Sequence, residues 1–205
     1  GIVRDAHDGA LQPRYRGALG TPQPGAVPRR ELYEGKGYLP LSLLQFGRGC
    51  TNRCEYCAVT EYFGHRHFAR PVAEVVHEIE SQGLRDLFFV DDNLVADHEA
   101  AKELFRALVP LEVRWVSQVS LDHLNDSELL DLMVASGCLG NVIGFESLDA
   151  DCLRQMRKAP NLRPATETGA PYAGEVAELR RRHLQTWAAL VLGYDNDTVD
   201  SIRAM

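Results

Sequence analysis

Several absences narrow this 205-residue chain before any motif is considered. No apolar run approaches the roughly 20 residues that cross a bilayer as a helix. The first residues also lack the charged-then-apolar order of a secretory leader. The expected compartment is therefore the cytoplasm. Basic charge is scarce: 22 Lys and Arg face 29 Asp and Glu, a formal net charge of −7. No general positive field draws such a chain to nucleic acid or anionic lipid, and a polyanion would need a local patch. The densest basic run, Arg180-Arg181-Arg182-His183, reads as a charged helix face. Cysteine is sparse and odd in number, five in all, which argues against a disulfide framework and for a reducing compartment with metal use. What is present, 45% apolar and 25% charged residues, is the composition of one ordinary folded core.

Three of the five cysteines fall in one stretch, Gly47-Arg48-Gly49-Cys50-Thr51-Asn52-Arg53-Cys54-Glu55-Tyr56-Cys57. Its glycines let the backbone turn tightly around a compact ligand. Structural zinc usually takes four protein ligands in paired spacings. Here the spacing is uneven and no fourth cysteine follows nearby. An iron-sulfur cube normally takes four thiolates, so a cube held by three keeps one iron open. Zinc, or thiols packed as small hydrophobes, is the competing account of the same residues.

The pattern C-x-x-x-C-x-x-C with an aromatic, Tyr56, before its last cysteine resembles the radical S-adenosylmethionine (radical SAM) enzymes. The resemblance implies that Cys50, Cys54 and Cys57 hold a 4Fe-4S cluster. It further implies that S-adenosylmethionine (SAM) chelates the open iron and is cleaved by one electron to a 5′-deoxyadenosyl radical.

Along the chain, residues 1–40 show no sustained period and are rich in Gly, Pro and Arg, the composition of a linker. From there strands and helices alternate. Leu41–Phe46 is read as the first strand, 70–83 as a helix starting near Pro71, and Leu87–Val90 as the second strand. Asp97 caps the next helix, Val113–Val119 is the third strand, and Asn125 or Asp126 caps a helix ending at Gly137. Val142–Phe145 is the fourth strand, with Asp149 capping a short helix behind it. Ala159–Pro171 is predicted to be a loop, Gly174–His183 a helix and Trp187–Leu192 the fifth strand. Asp197 is expected to begin a further helix. Such alternation implies parallel pairing through right-handed crossovers, an α/β fold forming part of a TIM-like barrel. The family barrel is six-stranded, so the expected organisation is a core over 41–205 lacking its last strand or strands.

Ligands of such barrels bind at the C-terminal ends of the strands. Those ends carry Cys50, Cys54 and Cys57; Asp91-Asp92-Asn93; Gln118 and Ser120; Glu146-Ser147; and Gly193-Tyr194. By resemblance, the backbone at Tyr56 lies near adenine, and one of Asp91, Asp92 or Asn93 receives the SAM amino group where many members have Gly-Gly-Glu. Glu146 and Ser147 meet the ribose or methionine end, and Gly193-Tyr194 packs on adenine. Cys138 is expected to be structural and Cys152 packed. His65 and His67, beside Arg66 and Arg70, are read as loop histidines.

The Asp-Asp-Asn variant, with Pro28-Arg29-Arg30 upstream, resembles the cobalamin-dependent branch. That implies residues 1–40 follow a cobalamin-binding domain, and that cobalamin joins the cluster and SAM. The expected activity is methylation or another radical modification of an unactivated carbon in a small molecule, with a reductase, flavodoxin or ferredoxin supplying electrons. Methylthiolation of tRNA or protein shares the cysteine loop. An electron-transfer module with no SAM chemistry is the reading from a different class, and it predicts a cluster indifferent to SAM.

Overall fold

In the computed structural model, the described residues are 1–205 except 18, 23–24, 26 and 168–170, with the backbone alone at 164–167. Parts of the predicted linker and of the predicted 159–171 loop therefore lie outside the described residues.

The N-terminal region is more ordered than its composition implies. A short helix, α1, covers Ile2–His7, and a single 3-10 turn covers Arg30–Tyr33. Arg30 is the reason that turn docks. Its guanidinium donates to Glu78 Oε1 at 2.8 Å, to the Leu43 carbonyl at 2.6 Å and to Gln82.

The core then alternates as the periodicity implies. Strand β1 is Ser42–Leu44, and the cysteine region that follows carries a strand β2 at Gly47–Gly49, a helix α2 at Ala58–Phe63 and a strand β3 at His67–Ala69. Helix α3 (Val72–Ser81) leads to β4 (Asp86–Phe89), and α4 (His98–Leu108) to β5 (Arg114–Val119). Helix α5 (Ser127–Ala135) leads to β6 (Cys138–Glu146), the longest strand. Helices α6 (Ala150–Gln155), α7 (Ala159–Glu167) and α8 (Ala173–Arg181) precede β7 (Gln185–Leu190), and α9 is Val199–Ala204.

Strands β1, β4, β5, β6 and β7 form one sheet in that order, every pair parallel. Successive strands lie side by side with no reversal of order, as in a barrel wall and unlike a doubly wound sheet. The fold is thus a five-stranded parallel portion of an α/β barrel. The core beneath it is anchored by Trp115, whose ring stacks on Phe105 with centroids 4.9 Å apart and meets Phe89 edge-on. Its indole N–H donates to the Ser136 carbonyl at 3.1 Å, so the large ring is buried without an unpaired donor.

Asp97, Asp126 and Asp149 each accept a hydrogen bond from the backbone N–H of the helix that follows, the expected N-caps. Three expectations are corrected. Residues 159–167 are helical: Pro160 sits in the first turn, where its missing N–H is not needed, and Asn161 ties the helix to the end of β6 despite a second proline at 164. Thr198, not Asp197, caps α9, since Asp197 is turned back to the N–H groups of Gly193 and Tyr194. The segment around the cysteines is also less of an open loop than its glycines imply: β2 and β3 pair antiparallel and brace it.

Candidate cluster and cofactor site

The three cysteines are brought together at the C-terminal rim. Asp91 at the end of β4 accepts hydrogen bonds from the backbone N–H groups of Phe46, at 3.0 Å, and Gly47, at 2.5 Å. Asp92 accepts from Gly49 at 2.7 Å. The two aspartates therefore pin the chain entering the cysteines to the neighbouring strand end. Gly49 has a φ of +84°, and a Cβ there would lie 2.2 Å from the Arg66 carbonyl, so only glycine allows β2 and β3 to approach this closely. On the far side, Glu55 N–H donates to the Met156 carbonyl at 3.0 Å, and the Tyr194 hydroxyl donates to the Glu55 carboxylate.

Cys50 and Cys54 are buried, Cys57 is half-buried, and all are free thiols. Burial pushes the Cys54 thiol up, and the nearby Lys158 ammonium draws it back down. Cys138 and Cys152 lie elsewhere. Each is pushed up to about 12 by burial, and each thiol has a local partner, the Gly140 carbonyl and Asp197 respectively. They are packed sulfurs, as expected.

A cavity of about 290 Å³ opens beside the three cysteines. Its wall includes Tyr56, Asp92, Asn93, Gln118, Ser120 and Glu146, so six of the ten expected cofactor residues face one space. The other four do not line it. Asp91 is 1% exposed and committed to backbone N–H groups. Burial, partly offset by those bonds, pushes its carboxyl up to about 7. Ser147 accepts from the Asp149 N–H, Gly193 is exposed, and Tyr194 braces the cysteine segment from outside. His65 holds the same segment through the Asn52 carbonyl at 3.1 Å, whereas His67 lies on β3 and packs against Gly47.

Two functional candidates had no signal in the sequence. Lys158, on the turn between α6 and α7, reaches into the cavity and pairs with Glu146, Nζ to Oε1 2.9 Å. Glu146 holds a φ of +65°, uncommon for a non-glycine residue, and its carboxylate also meets the Tyr56 phenol. Asn161 on α7 donates to the carbonyls of Gly144 and Phe145, both at 2.9 Å, and so ties that helix to the end of β6. A paired lysine and a bracing amide carry no spacing motif, so only the fold reveals them.

Among the described residues no three Cys, His, Asp or Glu side chains converge as they would on one metal ion. The ligands of a cube each bind a different corner and stand farther apart than those on a single centre. Cys50, Cys54 and Cys57 line one cavity, and three thiolates are the donor set of a cube that keeps one iron open.

Fold and site together define an iron-sulfur α/β-barrel domain whose cysteines share one cavity with polar strand-end residues. The chain belongs to the Radical SAM superfamily, whose family model matches residues 44–168, well over half of it. The family's cofactors are a 4Fe-4S cluster and SAM, and the donor set fits both. An uncharacterized methyltransferase of Synechocystis is 28% identical over 181 residues, 83% of this chain and 32% of the relative. A bacteriochlorophyllide d C-12(1)-methyltransferase of Chlorobaculum tepidum is 27% identical over 175 residues, 82% of this chain and 37% of the relative. Among solved structures, a radical S-adenosylmethionine methyltransferase from Kitasatospora setae, with cobalamin and a [4Fe-4S] cluster bound, superposes with a TM-score of 0.68. It is 24% identical over 80% of this chain and 33% of that one, a likeness of fold. The chain thus spans about a third of the length of these relatives.

Proposed function

We propose that the chain is the radical SAM core of a cobalamin-dependent methyltransferase that modifies an unactivated carbon of a small molecule. The observation that carries this reading is the cavity, whose wall places three cysteines beside a carboxylate, an amide cluster and a buried Glu146–Lys158 pair. A bare electron-transfer module needs no carboxylate and buried ion pair on the same wall as its cysteines. Two methyltransferases among the relatives, one of them a bacteriochlorophyllide d methyltransferase, support the reaction class. The cobalamin bound in the structural neighbour supports that cofactor.

When bound, the reduced cluster supplies the electron that cleaves SAM. The chain's own residues bind and orient. Asp92 keeps one oxygen on Gly49 and offers the other to the SAM ammonium, a charge-assisted bond. Lys158 offers a positive charge to the SAM carboxylate, and Glu146 holds that ammonium in place. Tyr56 would meet the adenine end of SAM, and Gln118 and Ser120 would complete the wall around it. Asp91 shapes the segment rather than touching the cofactor.

Residues 1–40 connect this core to a cobalamin-binding domain, a reading supported by relatives more than twice as long. A flavodoxin, ferredoxin or reductase delivers the electron. Among the described residues no helix is long and apolar enough to cross a membrane, and the reading places the protein in the cytoplasm. The test is electron paramagnetic resonance of the reduced, reconstituted protein with and without SAM. A changed spectrum is expected, and an unchanged one returns the electron-transfer reading.

A further inference from the structure

Of the three polar residues that end β4, only Asn93 reaches a cysteine. Its Nδ2 lies 3.6 Å from Cys50 Sγ, within range of an N–H to sulfur hydrogen bond. The rest of the amide is fixed on β5's end: Oδ1 accepts from the Ser120 N–H at 3.1 Å, and Nδ2 donates to Ser120 Oγ at 2.8 Å. The Ser120 hydroxyl spends its own hydrogen on Asp122 and so stands as an acceptor toward Asn93. Turning the amide over would set an N–H against the Ser120 N–H, so the orientation follows from its partners. Asn93 has two amide hydrogens. One is given to Ser120 Oγ, and the other points to the sulfur.

Both groups are buried, Asn93 at 4% and Cys50 at 9% exposure, so water does not compete for the bond. The Asn93 oxygen already accepts from Ser120, and what the residue presents toward Cys50 is a donor. That is the wrong polarity for a SAM ammonium and the right one for a thiolate. Hydrogen bonds to ligand sulfurs are one of the factors that set the potential of an iron-sulfur cluster.

We infer that Asn93 is a positioning residue for the cluster, and that its N–H bond to Cys50 raises the cluster's reduction potential by stabilising the more negative reduced form. The inference rests on the radical SAM reading of the three cysteines. The reductant in the test is dithionite, which gives one electron to the cluster.

The test reconstitutes the whole chain anaerobically with iron and sulfide and titrates it potentiometrically in the absence of SAM, following the reduced cluster by electron paramagnetic resonance. Asn93→Asp keeps an acceptor for the Ser120 N–H but removes the donor, and Asn93→Ala removes both. Both variants are expected to load iron as the parent does, with the reduction equilibrium about tenfold less favourable, a midpoint about 59 mV lower for a one-electron couple. A midpoint unchanged with weaker SAM binding would make Asn93 a SAM ligand and overturn the inference. An unchanged midpoint with only a lower melting temperature would make it a structural brace and overturn it equally. Failure of the parent chain itself to load a cluster would overturn the radical SAM reading, and this inference with it.

Discussion

Glu146 and Lys158 meet at 2.9 Å at the end of β6, and Gly144 leaves the room in which they do so. A Cβ at position 144 would stand 2.1 Å from the Glu146 oxygen and 2.9 Å from the Lys158 nitrogen. One missing methyl group thus keeps an ion pair inside the cofactor cavity.

Gly144→Ala should therefore displace the pair with little change elsewhere on the strand. Affinity for SAM is expected to fall at least about tenfold, while overpacking lowers stability by about 1–3 kcal/mol. Calorimetric titration of the reconstituted protein with SAM, beside a denaturant melt, reads both quantities. Unchanged SAM affinity would remove Glu146 and Lys158 from the binding wall.

Breaking the pair from one side leaves an uncompensated buried charge, because both side chains are about nine-tenths buried. Lys158→Met alone should cost about 3–5 kcal/mol, whereas Lys158→Met combined with Glu146→Gln should cost less than the single change. Urea unfolding of the parent, Lys158→Met, Glu146→Gln and the double variant checks the order. A double variant that is simply the sum of two losses would show that the groups do not interact.

Asp91 gives a pH dependence with a definite sign. Burial holds its folded-state value at about 7, above the ordinary 3.8, so the folded protein keeps a proton that the unfolded chain releases. Its contribution to stability is full below the unfolded value and is lost as pH rises through about 7. Asp91→Asn cannot titrate, so the stability difference between parent and variant should shrink from pH 4.5 to pH 7.5. A difference that grows over that range would refute the assignment. Urea melts at several pH values measure it.

Arg30 tests whether the N-terminal region is a free tether. It bonds Glu78, Gln82 and the Leu43 carbonyl from a segment with linker composition. Arg30→Ala should lower stability by about 2 kcal/mol and speed tryptic cleavage at Arg29. Glu78 keeps Arg70 at 2.9 Å, which limits the loss. No change in either readout would mean the contact is superficial.

The alternation of β1, β4, β5, β6 and β7 with helices could be read from periodicity and caps alone, because Asp97, Asp126 and Asp149 each sit before an apolar stripe. The cysteines were equally legible, since their chemistry is carried by spacing. Helix α7 was not: the Pro, Thr and Gly content of Ala159–Pro171 reads as a loop, and the bonds from Asn161 to the end of β6 that hold the helix there are tertiary. Lys158 was invisible for the same reason. Strand-end position alone also proved too coarse to tell Asp91, spent on the backbone of Phe46 and Gly47, from Asp92, which faces the cavity.

The most direct test of the central claim is SAM cleavage. The chain is reconstituted anaerobically with iron and sulfide, given dithionite and SAM, and assayed for 5′-deoxyadenosine by mass spectrometry beside a variant with Cys50, Cys54 and Cys57 all changed to alanine. The account predicts 5′-deoxyadenosine from the parent and none from the variant. A protein that binds only zinc, or assembles a cluster yet yields no 5′-deoxyadenosine, would contradict it.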